Sequence, residues 1–403
     1  MTDIVIYGGG IVGAACARDA SLRGFSVALI DRYDFASGAS SKSSKLAHGG
    51  LRYLESLNFR LTKESLQERN WLITHAPQMV KPLPFIFPLN KDSRLKVKAG
   101  LALYDFLASN DIVPDHCYLS PLPSIRDDIK AGYVYFDAQL EDARLVFANL
   151  YDAKLHGAHI ENYSKAHPDG KIIINTIGAF SPLCAPTKGI HLVLPQIEKK
   201  FAFILRAPQD NRIFFVIPWK GHSLVGTTDT VYNGNPEEVS VDQADIDYLL
   251  EAFTYYFPKA STNIISTFAG LRPLIKTSGL KPSEIPRDHL IKVEGNTLSV
   301  VGGKYTTFRL MAEQTIDKAC ELLNDSRPCH TKSLILKDPF PHTGEKLTEH
   351  HPYTVDDVLF SIREEGAKTP DDWFYRRTEM GYTNGLSALP KVEELFLATA
   401  TRT

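Results

Sequence analysis

Residues 3–31 read DIVIYGGGIVGAACARDASLRGFSVALID. A short apolar run, Ile4 to Ile6, stops at three glycines. An alanine-rich helical pattern follows from Ile11 to Arg23 and ends at Gly24, and Phe25 to Ile30 is a second apolar run that closes on Asp31. Strand, glycine turn, helix and strand in so short a span make one βαβ unit. Within it Gly8, Gly10 and Gly13 have GxGxxG spacing. The first glycine permits the tight turn, the second lets backbone approach a pyrophosphate, and the third lets helix pack closely on strand. The helix N-terminus offers amide donors and partial positive charge to phosphates. Asp31, at the end of the second strand, can accept hydrogen bonds from the adenosine ribose. A bound dinucleotide is expected, and this fingerprint alone does not choose between FAD and NAD.

A second glycine turn lies far down the chain, where residues 298–307 read LSVVGGKYTT. Strand, Gly302-Gly303 pair and helix start again put backbone where a ligand can come close. A chain that returns late with such a turn suits a long, extended cofactor. A helix N-terminus beside a flavin would stabilise the negative charge of its reduced ring.

The 403-residue length calls for two or three packed lobes. An apolar content of 43% with 23% charged residues is that of a globular protein, and a net charge of -2 gives no footprint for nucleic acid. The cysteines, Cys16, Cys117, Cys184, Cys320 and Cys329, form no C-x-x-C pair. Neither a disulfide framework nor a metal site is expected, and a reducing, cytoplasmic setting is. No leader-like segment precedes the first strand, and no apolar run has the length of a membrane span. Any membrane contact would be peripheral, on the inner face.

The rest of the pattern outlines an α/β fold. Leu51 to His75 reads as helix, and the proline-rich stretch Pro77 to Pro88 as a break. Arg94 to Leu107 reads as a helix buried between domains, in preference to an element lying on a membrane surface. Gly132 to Phe136 and Lys171 to Ile177 read as strands, and Leu140 to His156 as helix. Short strands at His191 to Leu194, Phe201 to Leu205, Ile213 to Pro218 and Ser223 to Gly226 suggest a mixed second sheet. Val241 to Phe257 and Thr306 to Leu323 read as helices.

The sequence resembles the FAD-dependent, respiratory sn-glycerol-3-phosphate dehydrogenases. The resemblance is carried by SSKLAHGGLRYLE (43–55), KGIHLVLP (188–195), FVIPW (215–219), GTTD (226–229), AGLRPL (269–274), PRD (286–288) and GGKYTTFR (302–309), in the family's order. It implies a Rossmann-like FAD domain of the glutathione-reductase and D-amino-acid-oxidase type, a mixed-sheet substrate domain and a short helical C-terminal region. The expected ranges are 1–76, 130–186 and 262–327 for the FAD domain, 77–129 and 187–261 for the substrate domain, and 328–403 for the abbreviated tail. The implied reaction is oxidation of sn-glycerol 3-phosphate to dihydroxyacetone phosphate by hydride transfer to FAD, with electrons passing to a quinone or, in related oxidases, to oxygen.

That chemistry needs cations, because the substrate carries close to two negative charges. Arg52, Arg272, Arg287 and Lys304 would supply them, and Tyr53 would add a hydrogen bond to the phosphate. His191 is the candidate base for the hydroxyl proton, with Arg272 or Lys304 stabilising the alkoxide. The resemblance adds Ser40, Ser44, Leu46, His48, Gly178, Gly303, Lys304 and Thr306 to the FAD contacts of Gly8, Gly10, Gly13 and Asp31. It also marks a departure. Between Glu161 and Lys188 the chain is much shorter than the family pattern, which places an antiparallel β-meander there. A homodimer or the tail would then have to cover the sheet. Phe374 to Thr378 resembles the family's Arg-Arg-Thr helix. Four readings remain at this point: a dehydrogenase, a peroxide-forming oxidase, an amino-acid or amine oxidase of related fold, and a flavin-poor remnant.

Overall fold

The computed structural model describes residues 1–51, 54, 57–90, 93–109, 112–276 and 288–400. Arg52, Tyr53 and Arg287 lie outside the described residues. In chain order the strands are β1 (Thr2–Tyr7), β2 (Val27–Ile30), β3 (Leu46–Ala47), β4 (Val80–Pro88), β5 (Cys117–Leu119), β6 (Gly132–Leu140), β7 (His159–Glu161) and β8 (Gly170–Asn175). They continue with β9 (Thr187–Pro195), β10 (Ala202–Arg206), β11 (Ile213–Trp219), β12 (His222–Gly226), β13 (Thr230–Val231), β14 (Ser266–Arg272), β15 (His289–Glu294) and β16 (Thr297–Gly302). The main helices are α1 (Ile11–Leu22), α2 (Phe59–His75), α3 (Arg94–Ala108), α4 (Asp142–Leu155), α5 (Gln243–Tyr256), α6 (Phe308–Leu323), α7 (Val355–Arg363) and α8 (Leu389–Ala400).

The chain forms two compact units, one of residues 1–43, 141–186 and 272–403, the other of 44–140 and 187–271. The expected ranges had put 44–76, 130–140 and 262–271 with the FAD half. They fall in the second unit, where β3 pairs with β6, β6 pairs with β4 along its whole length, and β14 pairs with β9.

The first unit is built on a sheet of order β15-β16-β8-β1-β2-β7. Strands β1, β2, β7 and β8 pair in parallel, and β15 returns antiparallel to β16. One row across the sheet, Ile6, Leu29, Ile174 and Leu298, is fully buried. Helix α1 is buried nearly all round, which its alanines allow by letting neighbours approach closely. Its charged residues are paired: Arg23 with Asp19 and Asp317 at 2.7 Å each, and Arg18 with Asp152 at 2.5 Å. In the adjacent row Tyr7, Asn175, Ser299 and Lys292 are half-buried, while Ile30, in register with Tyr7, is buried. Residues 162–169, between β7 and β8, contain no strand, and the nearby sheet carries side chains that tolerate water.

The tail has a core of its own, formed by Phe340, Tyr353, Val358, Trp373, Phe374, Met380, Ala388 and Val392. Two capping boxes, Thr354 with Asp357 and Thr369 with Asp372, start its helical turns.

The second unit holds a ten-stranded sheet whose main path is β13-β9-β12-β11-β10-β4-β6-β3. Helix α5 buries Leu249, Ala252, Phe253 and Tyr256 in a core with Ile190, Leu192, Phe203 and Phe214. Two expectations are corrected here. The stretch read as a proline break is β4, a nine-residue strand. Its prolines, Pro82, Pro84 and Pro88, share one parity, so their missing N–H groups all fall on the edge away from β6. On that edge β10 pairs only at Phe85 and Ile86. The second correction concerns α3, expected to be buried. Only Leu101, Tyr104 and Ala108 turn inward, while Leu95 and Phe106 are 79% and 76% exposed.

Candidate active site

The cofactor turn follows from its glycines. Gly8 has φ +105°, and a Cβ there would stand 2.7 Å from the Thr176 carbonyl oxygen. A Cβ on Gly13 would stand 1.9 Å from the Gly8 carbonyl oxygen, so only glycine lets α1 cross β1 this closely. Gly10 is the N-cap of α1 and brings no side-chain cap of its own. The Ser40 hydroxyl instead accepts from the Ile11 amide at 3.0 Å. Thr176, which the sequence reading did not single out, donates its hydroxyl to the carbonyls of Tyr7 and Gly8 at 3.0 and 2.9 Å and locks the turn from β8. A polar residue just past an apolar strand was the only signal for it.

Asp31 accepts from the amides of Gly9 at 2.6 Å and Tyr33 at 2.8 Å. Burial pushes its carboxyl up to about 6, against the pull of these two amides. The site fits a dinucleotide. The amide-rich helix end is bare of side chain at three glycines, and an acid sits at the next strand end.

The second turn has Gly302 and Gly303 at φ +78° and +80°. A Cβ on Gly303 would stand 2.5 Å from the Met311 sulfur. Lys304 is half-buried at the start of a 3-10 turn over Tyr305–Thr307, and Thr306 is buried within it. Tyr305 donates its hydroxyl to the Asp142 carbonyl, and the Asp142 carboxylate accepts from the Ser43 hydroxyl at 2.6 Å. Gly178 has φ +57° and open space around it. Arg272 ends β14 and is half-buried.

In the second unit His191 sits near the middle of β9 and is 3% exposed. Its Nε2 lies 2.9 Å from the Ser44 hydroxyl. Its ring stacks on Phe268 with centroids 4.9 Å apart. Opposite it in register is Gly226, where a Cβ would meet the ring at 2.4 Å. Ser44 and His191, expected in different roles, are thus brought together. Leu46 is buried in β3, and the half-buried His48 ring lies 6.3 Å from that of Phe215.

Lys45 was missed, although it stands within the SSK motif. It is fully buried, with Nζ 5.4 Å from the Phe268 ring centroid and 5.9 Å from that of Trp219. Also missed was a buried support for the Gly49-Gly50 turn. The Asp137 carboxylate accepts from Tyr104 at 2.7 Å and from Arg69 and the Gly49 amide at 3.2 Å each. Burial pushes the Asp137 carboxyl up, and Arg69 and Tyr104 oppose it.

Comparison with known proteins gives these features a setting. Residues 3–308 match the family described as FAD dependent oxidoreductase, and residues 317–401 match the C-terminal domain of alpha-glycerophosphate oxidase. The chain is 36% identical over 372 residues to glycerol-3-phosphate dehydrogenase 2 of Mycobacterium tuberculosis, covering 80% of this chain and 63% of that one. It therefore spans less than two thirds of that relative's length. To the aerobic glycerol-3-phosphate dehydrogenase of Escherichia coli K12 it is 34% identical over 471 residues, covering 94% of each. Its fold is similar to that of the glycerol-3-phosphate dehydrogenase from Bacillus halodurans complexed with FAD, with a TM-score of 0.74 and 24% identity over 98% of this chain and 91% of that one. The L-alpha-glycerophosphate oxidase of Mycoplasma pneumoniae, with FAD bound, is similar in fold at a TM-score of 0.64 and 16% identity, covering 82% of this chain and 96% of that one. The cofactor is FAD, and the chain belongs to the family of FAD-dependent glycerol-3-phosphate dehydrogenases.

Proposed function

We propose that this chain oxidises sn-glycerol 3-phosphate to dihydroxyacetone phosphate and passes the electrons to a quinone. The observation that carries the reading is the hydrogen bond between Ser44 and His191 in a buried slot made by Phe268 and Gly226. When bound, FAD supplies the hydride acceptor. Nε2 of a neutral His191, the nitrogen that faces the Ser44 hydroxyl, takes the C2 hydroxyl proton when the substrate hydroxyl replaces Ser44 as its hydrogen-bond donor. Arg272 and Lys304, with Arg52 and Arg287, meet the phosphate and the developing alkoxide, and Tyr53 holds a phosphate oxygen. Because the phosphate is remote from the bond that breaks, its binding orients C2 for reaction.

The test is anaerobic mixing of the purified protein with sn-glycerol 3-phosphate while following the visible absorbance of the flavin. Bleaching supports the reading. A yellow protein that does not bleach with this substrate, yet bleaches with an amino acid, overturns it.

A second reading, oxygen as acceptor, is favoured by the match of residues 317–401 to an oxidase domain. Oxygen uptake without added quinone would select it. Contact with a membrane surface is proposed through α3, whose exposed Leu95 and Phe106 accompany exposed Arg94, Lys96 and Lys98. Among the described residues no helix is long and apolar enough to cross a membrane. Co-flotation with anionic, but not neutral, vesicles is the expected result.

A further inference from the structure

The segment that follows Asp31 runs over the phosphate turn and is held at both ends by the tail. At its start, the Asp34 carboxylate is buried at 2% exposure. It receives both arms of Arg377, one of them at 2.9 Å, together with Arg376 and, at 2.8 Å, the Asn162 amide. Arg377 is itself fully buried, and it donates to the Glu365 carbonyl at 2.7 Å and lies 4.2 Å over the Phe147 ring. Arg376 is tied to Asp372, which accepts from Tyr163 at 2.6 Å. At the segment's other end Lys42 donates to the Tyr382 hydroxyl and lies 4.6 Å from that ring. Between the two anchors is the turn Ala39–Ser41, whose Ser40 hydroxyl caps the Ile11 amide at the start of α1.

We infer that the C-terminal region is a retention clamp for FAD, in which Arg377 and Tyr382 act as positioning residues by holding Asp34 and Lys42. The inference rests on FAD occupying the Gly8 turn. Neither residue needs to touch the cofactor. A buried carboxylate with two arginines is stable only while they remain, and a partner removed leaves a charge that must move toward water. Asp34 cannot move without dragging the chain between Asp31 and Ser40. The arrangement also gives a use to the Arg-Arg-Thr segment, which the proposed chemistry leaves idle. It supplies local support in a chain where residues 162–169 form no strand.

The test uses the full-length protein as Arg377→Met, Arg377→Lys and Tyr382→Phe. FAD affinity is measured on stripped protein by quenching of flavin fluorescence, and flavin reduction is measured separately at saturating FAD. For Arg377→Met the dissociation constant of FAD should rise by roughly tenfold or more, and Arg377→Lys should recover part of the loss. Reduction of the flavin that is bound should stay within about twofold of the wild type. Tyr382→Phe, which removes one hydrogen bond from Lys42 and keeps the ring, should weaken FAD severalfold and remains readable if Arg377→Met fails to fold. Unchanged FAD affinity in folded variants overturns the clamp. So does a rate loss that persists when every site is filled. If FAD does not bind the wild type either, the cofactor reading fails, not the clamp alone.

Discussion

Ser44 Oγ and His191 Nε2 stand 2.9 Å apart, joining residues that are 147 positions apart in sequence. The bond fixes which imidazole nitrogen faces the hydroxyl, and stacking on Phe268 fixes the ring plane. In the proposed role of base, His191 has the direction of its Nε2 set before substrate arrives. His191→Asn should lower the rate of anaerobic flavin reduction by about a hundredfold or more, with FAD content unchanged. Ser44→Ala should lower it less, because the ring keeps its stacking partner. Stopped-flow reduction of both variants checks the pair, and a wild-type rate in His191→Asn removes it from the role of base.

Asp31 gives a pH prediction with a definite sign. Its folded-state carboxyl is raised to about 6 from an ordinary 3.8, chiefly by burial. The folded apoprotein therefore holds a proton that the unfolded chain has released between those values. Stability linked to Asp31 is fully present below about pH 4 and is lost as pH rises through 6. Asp31→Asn should abolish that loss, so the variant apoprotein should exceed the wild type at pH 7 by on the order of 1–3 kcal/mol and match it near pH 4. FAD affinity should fall in the same variant, since the ribose loses an ionised acceptor. Denaturant unfolding of apoprotein at the two pH values, with a separate FAD titration, measures both effects. Equal pH slopes for variant and wild type would sink the assignment.

What the sequence disclosed follows from where backbone geometry constrains residue type. Gly8 and Gly13 were legible because a Cβ at either would collide with backbone, so the demand appears as glycine itself. Strands β9 to β12 were legible because they are short, apolar and separated by turn residues. Strand β4 was not, because proline is locally a breaker and its tolerance here depends on which edge faces which neighbour. Helix α3 was misread because its apolar residues are not confined to one face, so the pattern does not say which of them meet protein. Pairs such as Asp34 with Arg377 were invisible, because an arginine in sequence does not name a carboxylate 343 positions away.

Arg272 lies at the end of β14, two positions before Leu274, whose amide donates to the Arg272 carbonyl at 2.9 Å. That bend holds the backbone from which the guanidinium projects. A cation that pairs with a buried phosphate contributes mainly to binding and orientation. Arg272→Ala should raise the half-saturation for sn-glycerol 3-phosphate by at least about thirtyfold, the equivalent of about 2 kcal/mol. The rate of flavin reduction by glycerol, which has no phosphate, should change little. Steady-state and single-turnover rates with both alcohols make the comparison. An equal loss with glycerol would move Arg272 from phosphate binding to the reacting carbon.

Gly226 and Gly13 test the proposed base and the cofactor turn by the same kind of crowding. A Cβ on Gly226 would stand 2.4 Å from the His191 Cδ2 atom, and the ring is already stacked on Phe268. Gly226→Ala must therefore tilt the imidazole or push the strand, at a cost of about 1–3 kcal/mol for overpacking. Either movement stretches the bond to Ser44. Flavin reduction should fall toward the level of His191→Asn while FAD stays bound. Gly13→Ala does the opposite, because its Cβ would stand 1.9 Å from the Gly8 carbonyl oxygen and open the cofactor turn. That protein should emerge poor in flavin, with stripped wild type and variant differing in FAD affinity by more than in any property of His191. Visible spectra of the purified variants give the flavin content, and anaerobic reduction of whatever flavin remains gives the chemistry. Loss of flavin in Gly226→Ala, or full flavin in Gly13→Ala, would show that the two glycines do not serve separate halves of the reaction.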